Sequence, residues 1–158
     1  MKRIALVLLS SLLFSCGAMY NKKVIGETAV ITVAEAKMDF VSRIDTGATV
    51  TSIHVVDLQI ENESKDKEKN VGKLVTFVTE NKQGKRATIK LPISDVAKVK
   101  NSQGLEYRYV VKMHLNWAGQ PRLVEVNLRD RSAMTYKLLI GRNWLANHYV
   151  VDVTKSED

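Results

Sequence analysis

The 158-residue chain holds one cysteine, two prolines and eight glycines, and aromatic residues make up only 6% of it. A single cysteine rules out an intrachain disulfide framework and any thiolate metal cluster. No HExxH or CxxC pattern occurs and no glycine-rich phosphate cradle, so neither a zinc site nor direct use of ATP has a motif behind it. Basic runs interleaved with aromatics, the footprint of a nucleic-acid surface, are also missing. With 45% apolar and 26% charged residues, the composition excludes collagen, coiled coil, disorder and a multi-span membrane protein. The length allows one domain with a sizeable core and hardly two.

Long apolar runs are scarce too, and the one present is N-terminal. Lys2 and Arg3 precede Ile4 to Phe14, an apolar stretch of 11 residues. A bilayer core of about 30 Å needs roughly 20 residues, so this stretch reads as the apolar part of an export signal. It ends in Leu13-Phe14-Ser15-Cys16, which resembles the lipobox of bacterial lipoproteins, where a small residue precedes a cysteine that is lipidated before cleavage. The alternative is a plain secretory signal with an incidental cysteine. The lone cysteine of the chain standing at that spot favours lipidation of Cys16, with residues 1–15 removed and residues 16–23 as a tether. No aspartate follows Cys16, so the expected location is the cell envelope, lipid-anchored to an outer membrane where one exists. Of the 24 basic residues, Lys2 and Arg3 belong to the signal, leaving 22 against 17 acidic ones. That excess reads as a solvated face with some affinity for anionic lipid.

What the mature chain does have is strand pattern. Val24 to Val33 and Phe40 to Ile44 are β-branched runs, and Leu74 to Thr79 and Ala87 to Leu91 flank a hairpin turn at Asn81-Lys82-Gln83-Gly84. Val110, Lys112, His114 and Asn116 alternate with Val111, Met113, Leu115 and Trp117, and Ala118-Gly119-Gln120 turns the chain into Arg122 to Leu128. Only Arg142 to Asn147 and Val96 to Lys98 read as helical. Glu61 to Asn70 has seven charged residues in ten and reads as an exposed loop. No internal repeat or domain linker is evident. Many short strands with turns in one domain, spanning residues 24–153 with a short tail at 154–158, predict an all-β fold with a closed or partly closed barrel.

The chemistry points to Asp45-Thr46-Gly47-Ala48. A β-run, Phe40 to Ile44, delivers an aspartate into a tight turn in which glycine permits close approach of backbone or of a second carboxylate. Alone, such a tripeptide usually marks a plain turn. A second signal, Leu138-Leu139-Ile140-Gly141-Arg142-Asn143-Trp144-Leu145, places Gly141 96 residues after Asp45. The pair resembles the retropepsins, homodimeric aspartic proteases in which the apolar-apolar-Gly strand packs beneath the catalytic loop. The match is closest to a bacterial retropepsin-like family that has carried the label of an ATP-dependent zinc protease and is found near RimK-type glutamate ligases. Arg43 to Thr49, Ser52-Ile53-His54, Val99 to Gly104 and Asp130 to Met134 carry that likeness together with the second signal.

The resemblance implies a small closed β-barrel with a short C-terminal helix, and a peptide or protein substrate. Asp45 is implied as the catalytic residue and Thr46, Gly47 and Ala48 as its loop. Leu139, Ile140, Gly141, Arg142 and Asn143 are implied as structural support. One such aspartate per chain cannot supply the two carboxylates that an aspartic protease needs, so a homodimer with Asp45 from each chain at the axis is expected. Thr46 would grip its mate there. Asn101-Ser102-Gln103-Gly104 falls where the flap tip should be, with the Asn81 to Gly84 hairpin as its competitor. Retropepsins often follow this loop with an aspartate that pairs with the helix arginine; Thr49 stands there instead, leaving Asp130 or the chain end as expected partners for Arg142.

No cofactor and no metal ligand set are expected. His114 reads as solvated, His54 as structural with a lining role as the alternative, Ser52 and Ser132 as turn or packing residues, and Asp130-Arg131 as an ion pair buttressing the loop. The rival functional class is a non-catalytic envelope lipoprotein of the same fold that binds an extended peptide or protein partner by strand addition. An interaction subunit working beside a membrane partner is a further alternative.

Overall fold

The computed structural model describes residues 22–101 and 104–157. The segment expected to be an export signal, Cys16, Ser102 and Gln103 lie outside the described residues.

The architecture is all-β apart from a single-turn α1 (Arg142–Leu145) and a 3-10 turn at Lys67–Asn70. Strands β1 (Lys23–Gly26), β2 (Thr28–Val33), β3 (Met38–Ile44), β4 (Thr51–His54) and β5 (Val56–Ile60) come first. They are followed by β6 (Leu74–Glu80), β7 (Arg86–Asn101), β8 (Gly104–Trp117), β9 (Gln120–Arg129), β10 (Leu138–Ile140) and β11 (Tyr149–Asp152). Alternation is clearest in β3, where Met38, Phe40, Ser42 and Ile44 are buried while the residues between them are not; β4 is buried at every position. The turn between β8 and β9 has positive φ at Ala118 and Gly119, the primed geometry whose twist suits a two-residue hairpin.

Hydrogen bonding runs β2–β3–β10–β4–β9–β8 and returns to β2 through Thr32 opposite Asn116 and Val33 opposite Leu115, closing a ring; β7, β6 and β5 extend outward from β8. Phe40, Ile53, Met113, Leu138, Ile140 and Trp144 are buried in one continuous apolar core, where Trp144 stacks on Tyr149 at 4.3 Å between ring centres. β1 and β11 form a separate parallel ribbon. The seam of the ring, where β2 meets β8 over only two residues, is covered by the C-terminal tail. Glu157 there accepts from the Val30 amide at 3.1 Å and from Trp117 Nε1 at 3.3 Å.

Three local expectations are corrected. Val96 to Lys98 is strand rather than helix, because each residue pairs with Tyr109, Arg108 or Tyr107 across a long hairpin. The run from Val24 to Val33 breaks at Glu27, whose amide bonds to the Lys155 carbonyl at 2.8 Å instead of continuing a ladder. The charged segment Glu61 to Asn70 is not wholly exposed: Asn70 is fully buried and donates to the Tyr109 hydroxyl at 2.9 Å.

Candidate active site

Asp45 emerges at the end of β3. Its amide donates to the Ile140 carbonyl at 2.9 Å, because β10 lies parallel to β3 with Ile140 opposite Ile44. β10 also pairs antiparallel with β4, so the strands entering and leaving the loop both grip the apolar triplet. Asp45 Oδ1 accepts from the Gly47 amide at 2.8 Å and the Ala48 amide at 3.2 Å. Oδ2 has no hydrogen-bond donor among the described residues, so the carboxylate is fixed by one oxygen and open at the other.

Behind the loop, α1 acts as a clamp. The Arg142 amide donates to Ala48 O and the Asn143 amide to Thr49 O, at 2.8 and 3.1 Å. Asn143 Oδ1 accepts from both the amide and the hydroxyl of Thr51, and the Gly141 amide donates to that hydroxyl at 3.1 Å. Gly141 has no room for a side chain: a Cβ there would stand 2.7 to 2.9 Å from Val50 and Thr51 backbone. Asp45, Thr46, Gly47 and Ala48 are thus brought together with Ile140, Gly141, Arg142 and Asn143. Leu139 pairs with Arg43 on one side and Ser52 on the other.

Among the described residues the partner of Arg142 is not Asp130 but the catalytic loop's own neighbour. Its guanidinium donates to the Thr49 hydroxyl at 3.0 Å and to Thr46 O at 3.3 Å, so the threonine itself takes the place expected of an aspartate. Nor do Asp130 and Arg131 form an ion pair. Asp130 caps the Ser132 amide at 2.8 Å, and Arg131 Nε donates to Tyr136 O at 3.1 Å.

Asn101 and Gly104 close the tip of the β7–β8 hairpin, whose arms approach the catalytic loop. Ala97, Lys98, Val99, Arg108 and Asn127 line a cleft of about 460 Å³ together with Ala48, Thr49 and Val50. The competing turn is held elsewhere. Asn81 takes the Gln83 and Lys85 amides on its Oδ1 and donates to Asp39 O, at the far end of β3. A second cleft of about 390 Å³ lies on the other side of Asp45, walled by Glu27, Arg43, Thr46, Val151 and Val153.

The histidines do not converge. His54 is buried, with Nδ1 accepting from the Arg131 amide at 2.9 Å. His114 bonds Glu35 at 2.9 Å on an exposed face. Among the described residues no three His, Cys, Asp or Glu side chains are grouped to hold a metal ion.

Arg108 and Arg129 carried no expectation from the sequence, and Arg131, expected to pair with Asp130, interacts with Asp45 instead. Arg131 is buried and feels Asp45 as a favourable charge, although burial and the neighbouring Arg129 and Arg108 hold its pKa below the ordinary value. The available signal was Glu106 and Arg108, two apart on one face of a strand otherwise read as a flap arm.

Residues 24–157 match the family described as RimB-like, retropepsin-like aspartic endopeptidase RimB. Curated relatives named "Probable alpha-L-glutamate ligase" include proteins of Shewanella halifaxensis, 30% identical over 120 residues, and Desulfotalea psychrophila, 29% identical over 136 residues. These matches take in 73% and 83% of this chain but 25% and 28% of those proteins, so the chain spans about a quarter of their length. Among solved structures, Lpg0085 of Legionella pneumophila, a protein of unknown function, is similar with a TM-score of 0.68 and 23% identity, over 86% of this chain and 97% of that one. At that identity the likeness speaks for the fold alone.

Proposed function

This chain belongs to the RimB-like family of retropepsin-like aspartic endopeptidases, and on that premise we propose that it hydrolyses peptide bonds with two Asp45 carboxylates, one from each of two copies. One observation supports this above others: Asp45 is pinned through Oδ1 by two backbone amides at a strand end, with Oδ2 open. A group that must exchange a proton in a fixed direction needs this combination of rigidity and access. Two carboxylates about 3 Å apart share one proton. The ionised member takes a proton from water as the water oxygen attacks the peptide carbon, while the protonated member gives its proton to the carbonyl oxygen. Collapse of the tetrahedral intermediate breaks the C–N bond: the proton taken from water passes to the leaving nitrogen, and one hydroxyl proton returns to the carboxylate that had given its own, restoring the shared proton of the pair. The cleft under the β7–β8 hairpin would hold the peptide in extended form, with 101–104 as the flap tip.

The substrate we infer is a glutamate-containing peptide. Proteins named as α-L-glutamate ligases carry a segment similar to this chain, and Lys98, Arg108, Arg129 and Arg131 supply positive charge around the cleft. Short α-linked glutamyl peptides and glutamate-free controls, with products followed by mass spectrometry, test both parts. Wild-type protein should cleave the glutamyl peptides. Asp45→Asn should lower the rate by about 10³-fold or more, with a melting temperature within about 2 °C of wild type, since the amide oxygen can still accept from Gly47 and Ala48. Cleavage by Asp45→Asn at the wild-type rate would end the peptidase reading.

A further inference from the structure

Glu106 and Arg108 are two residues apart on β8 and face the same way as Val99 and Ala97, their partners on β7. The Arg108 side chain is only 10% exposed and donates through Nη2 to Glu106 Oε2 at 2.6 Å. Its Nε, buried, has no hydrogen-bond partner among the described residues. Arg129 Nε stands 4.0 Å from the other oxygen of Glu106, so two guanidinium groups share one carboxylate. Arg131 interacts with Arg108, Arg129 and Asp45, and Lys98 on the cleft wall is paired with Glu68 at 3.3 Å, so four positive charges meet three negative ones in and beside this cleft.

The floor is also unsatisfied. Asn127, 5% exposed, has an Oδ1 without a donor, and Ser52, its register partner on β4, has a hydroxyl without a partner. Buried polar atoms in this condition are uncommon and costly, and here three of them gather beside a cleft that opens onto the Asp45 loop. An excess positive charge with an unused guanidinium donor calls for an anion, and a planar carboxylate matches the fork of an arginine.

We propose that Arg108, held by Glu106 and flanked by Asn127, is the specificity-determining residue that reads a glutamate side-chain carboxylate of the bound peptide. The inference rests on the peptidase reading above. Glu106 orients the guanidinium through Nη2 and leaves Nε for the ligand, and Asn127 is placed to meet the neighbouring backbone of the peptide.

Binding to the chain carrying Asp45→Asn tests this apart from turnover. Fluorescence anisotropy with labelled tetraglutamyl and tetraglutaminyl peptides, each with an amidated C-terminus, reads the side-chain carboxylate; the same glutaminyl peptide with a free C-terminus reads a terminal one. The glutamyl peptide should bind about 10- to 100-fold tighter than either glutaminyl form. Adding Arg108→Gln should erase that preference and leave the weaker glutaminyl affinity in place, while Arg108→Lys should retain part of it. Equal binding of the two amidated peptides overturns the proposal, as does a preference that survives Arg108→Gln, or tight binding that follows the free C-terminus. If Arg108→Gln does not fold, Arg108→Lys decides: an undiminished preference overturns the proposal, a reduced one supports it. Discrimination in binding without cleavage by wild type would remove the peptidase reading and leave this subsite standing. Cleavage without discrimination would do the reverse.

Discussion

His54 is 5% exposed, and its Nδ1 is occupied by the Arg131 amide at 2.9 Å. That donor leaves no room for a proton on Nδ1, so the ring is the neutral Nε2–H tautomer and the Asp130 oxygen 3.5 Å away is not half of a charged pair. Burial first, then the Lys137 charge, lowers its pKa from the ordinary 6.5. A depressed folded pKa means that the unfolded chain takes up a proton first as pH falls, so stability is full above 6.5 and declines below it. The denaturant midpoint should therefore drop between about pH 7 and pH 5. His54→Asn, which keeps an acceptor near the Nδ1 position, should show a smaller drop over the same window; identical slopes would remove His54 as the cause. At this scale the sequence was legible where a residue acts on its own stretch of chain: Asp45 bonding Gly47 and Ala48, or His54 as a structural histidine on the strand leaving the loop. It misassigned Arg131 to Asp130 and was silent on the bond from Arg142 to Thr49, because such meetings depend on how distant strands are laid side by side.

Gly141 and α1 show what an element contributes. The helix is one turn long, too short to persist alone, and it exists because its first amides find Ala48 O and Thr49 O and its asparagine finds Thr51. Gly141→Ala would push a methyl into the Val50–Thr51 backbone, where neither side can yield as a flexible side chain could. The expected loss is about 2–3 kcal/mol, read from chemical denaturation, and the displaced loop should lower peptidase activity by more than the stability loss explains. A Gly141→Ala protein as stable and active as wild type would mean that the clamp is dispensable. Hairpins were readable because their turn residues are local, as at Asn81 to Gly84 and Ala118-Gly119. The parallel pairings β3–β10 and β4–β9, which build the site, join segments far apart in sequence; the first was expected only through the resemblance that places Leu138 to Gly141 beneath the loop, and the second leaves no mark in either segment. Val96 to Lys98 was misread for a related reason: cross-strand pairing along β8 overrides a weak local preference.

For the whole molecule, the decisive fact is stoichiometric: one chain presents one Asp45. Beside it, Thr46 is exposed and Val151 and Val153 wall the second cleft, with Val153 73% exposed, an apolar surface next to Asp45. A second copy meeting that surface about a two-fold axis would bring the two aspartates together. Specific activity should then fall on dilution. Lipidation at Cys16 would confine chains to a surface and raise their effective concentration, so anchored protein should be less sensitive to dilution than Cys16→Ser protein. The sharper measurement mixes wild-type and Asp45→Asn chains in equal amounts and allows subunits to exchange. With random pairing only about a quarter of dimers keep both carboxylates, so activity should fall to about a quarter of that of the same total amount of wild-type chain. A fall to one half would mean that each chain carries its own complete site. The two-fold model would then be wrong, and the second carboxylate would have to be sought within the chain, with Asp130 and with Glu27, which lines the same cleft as Asp45, as the groups to replace first.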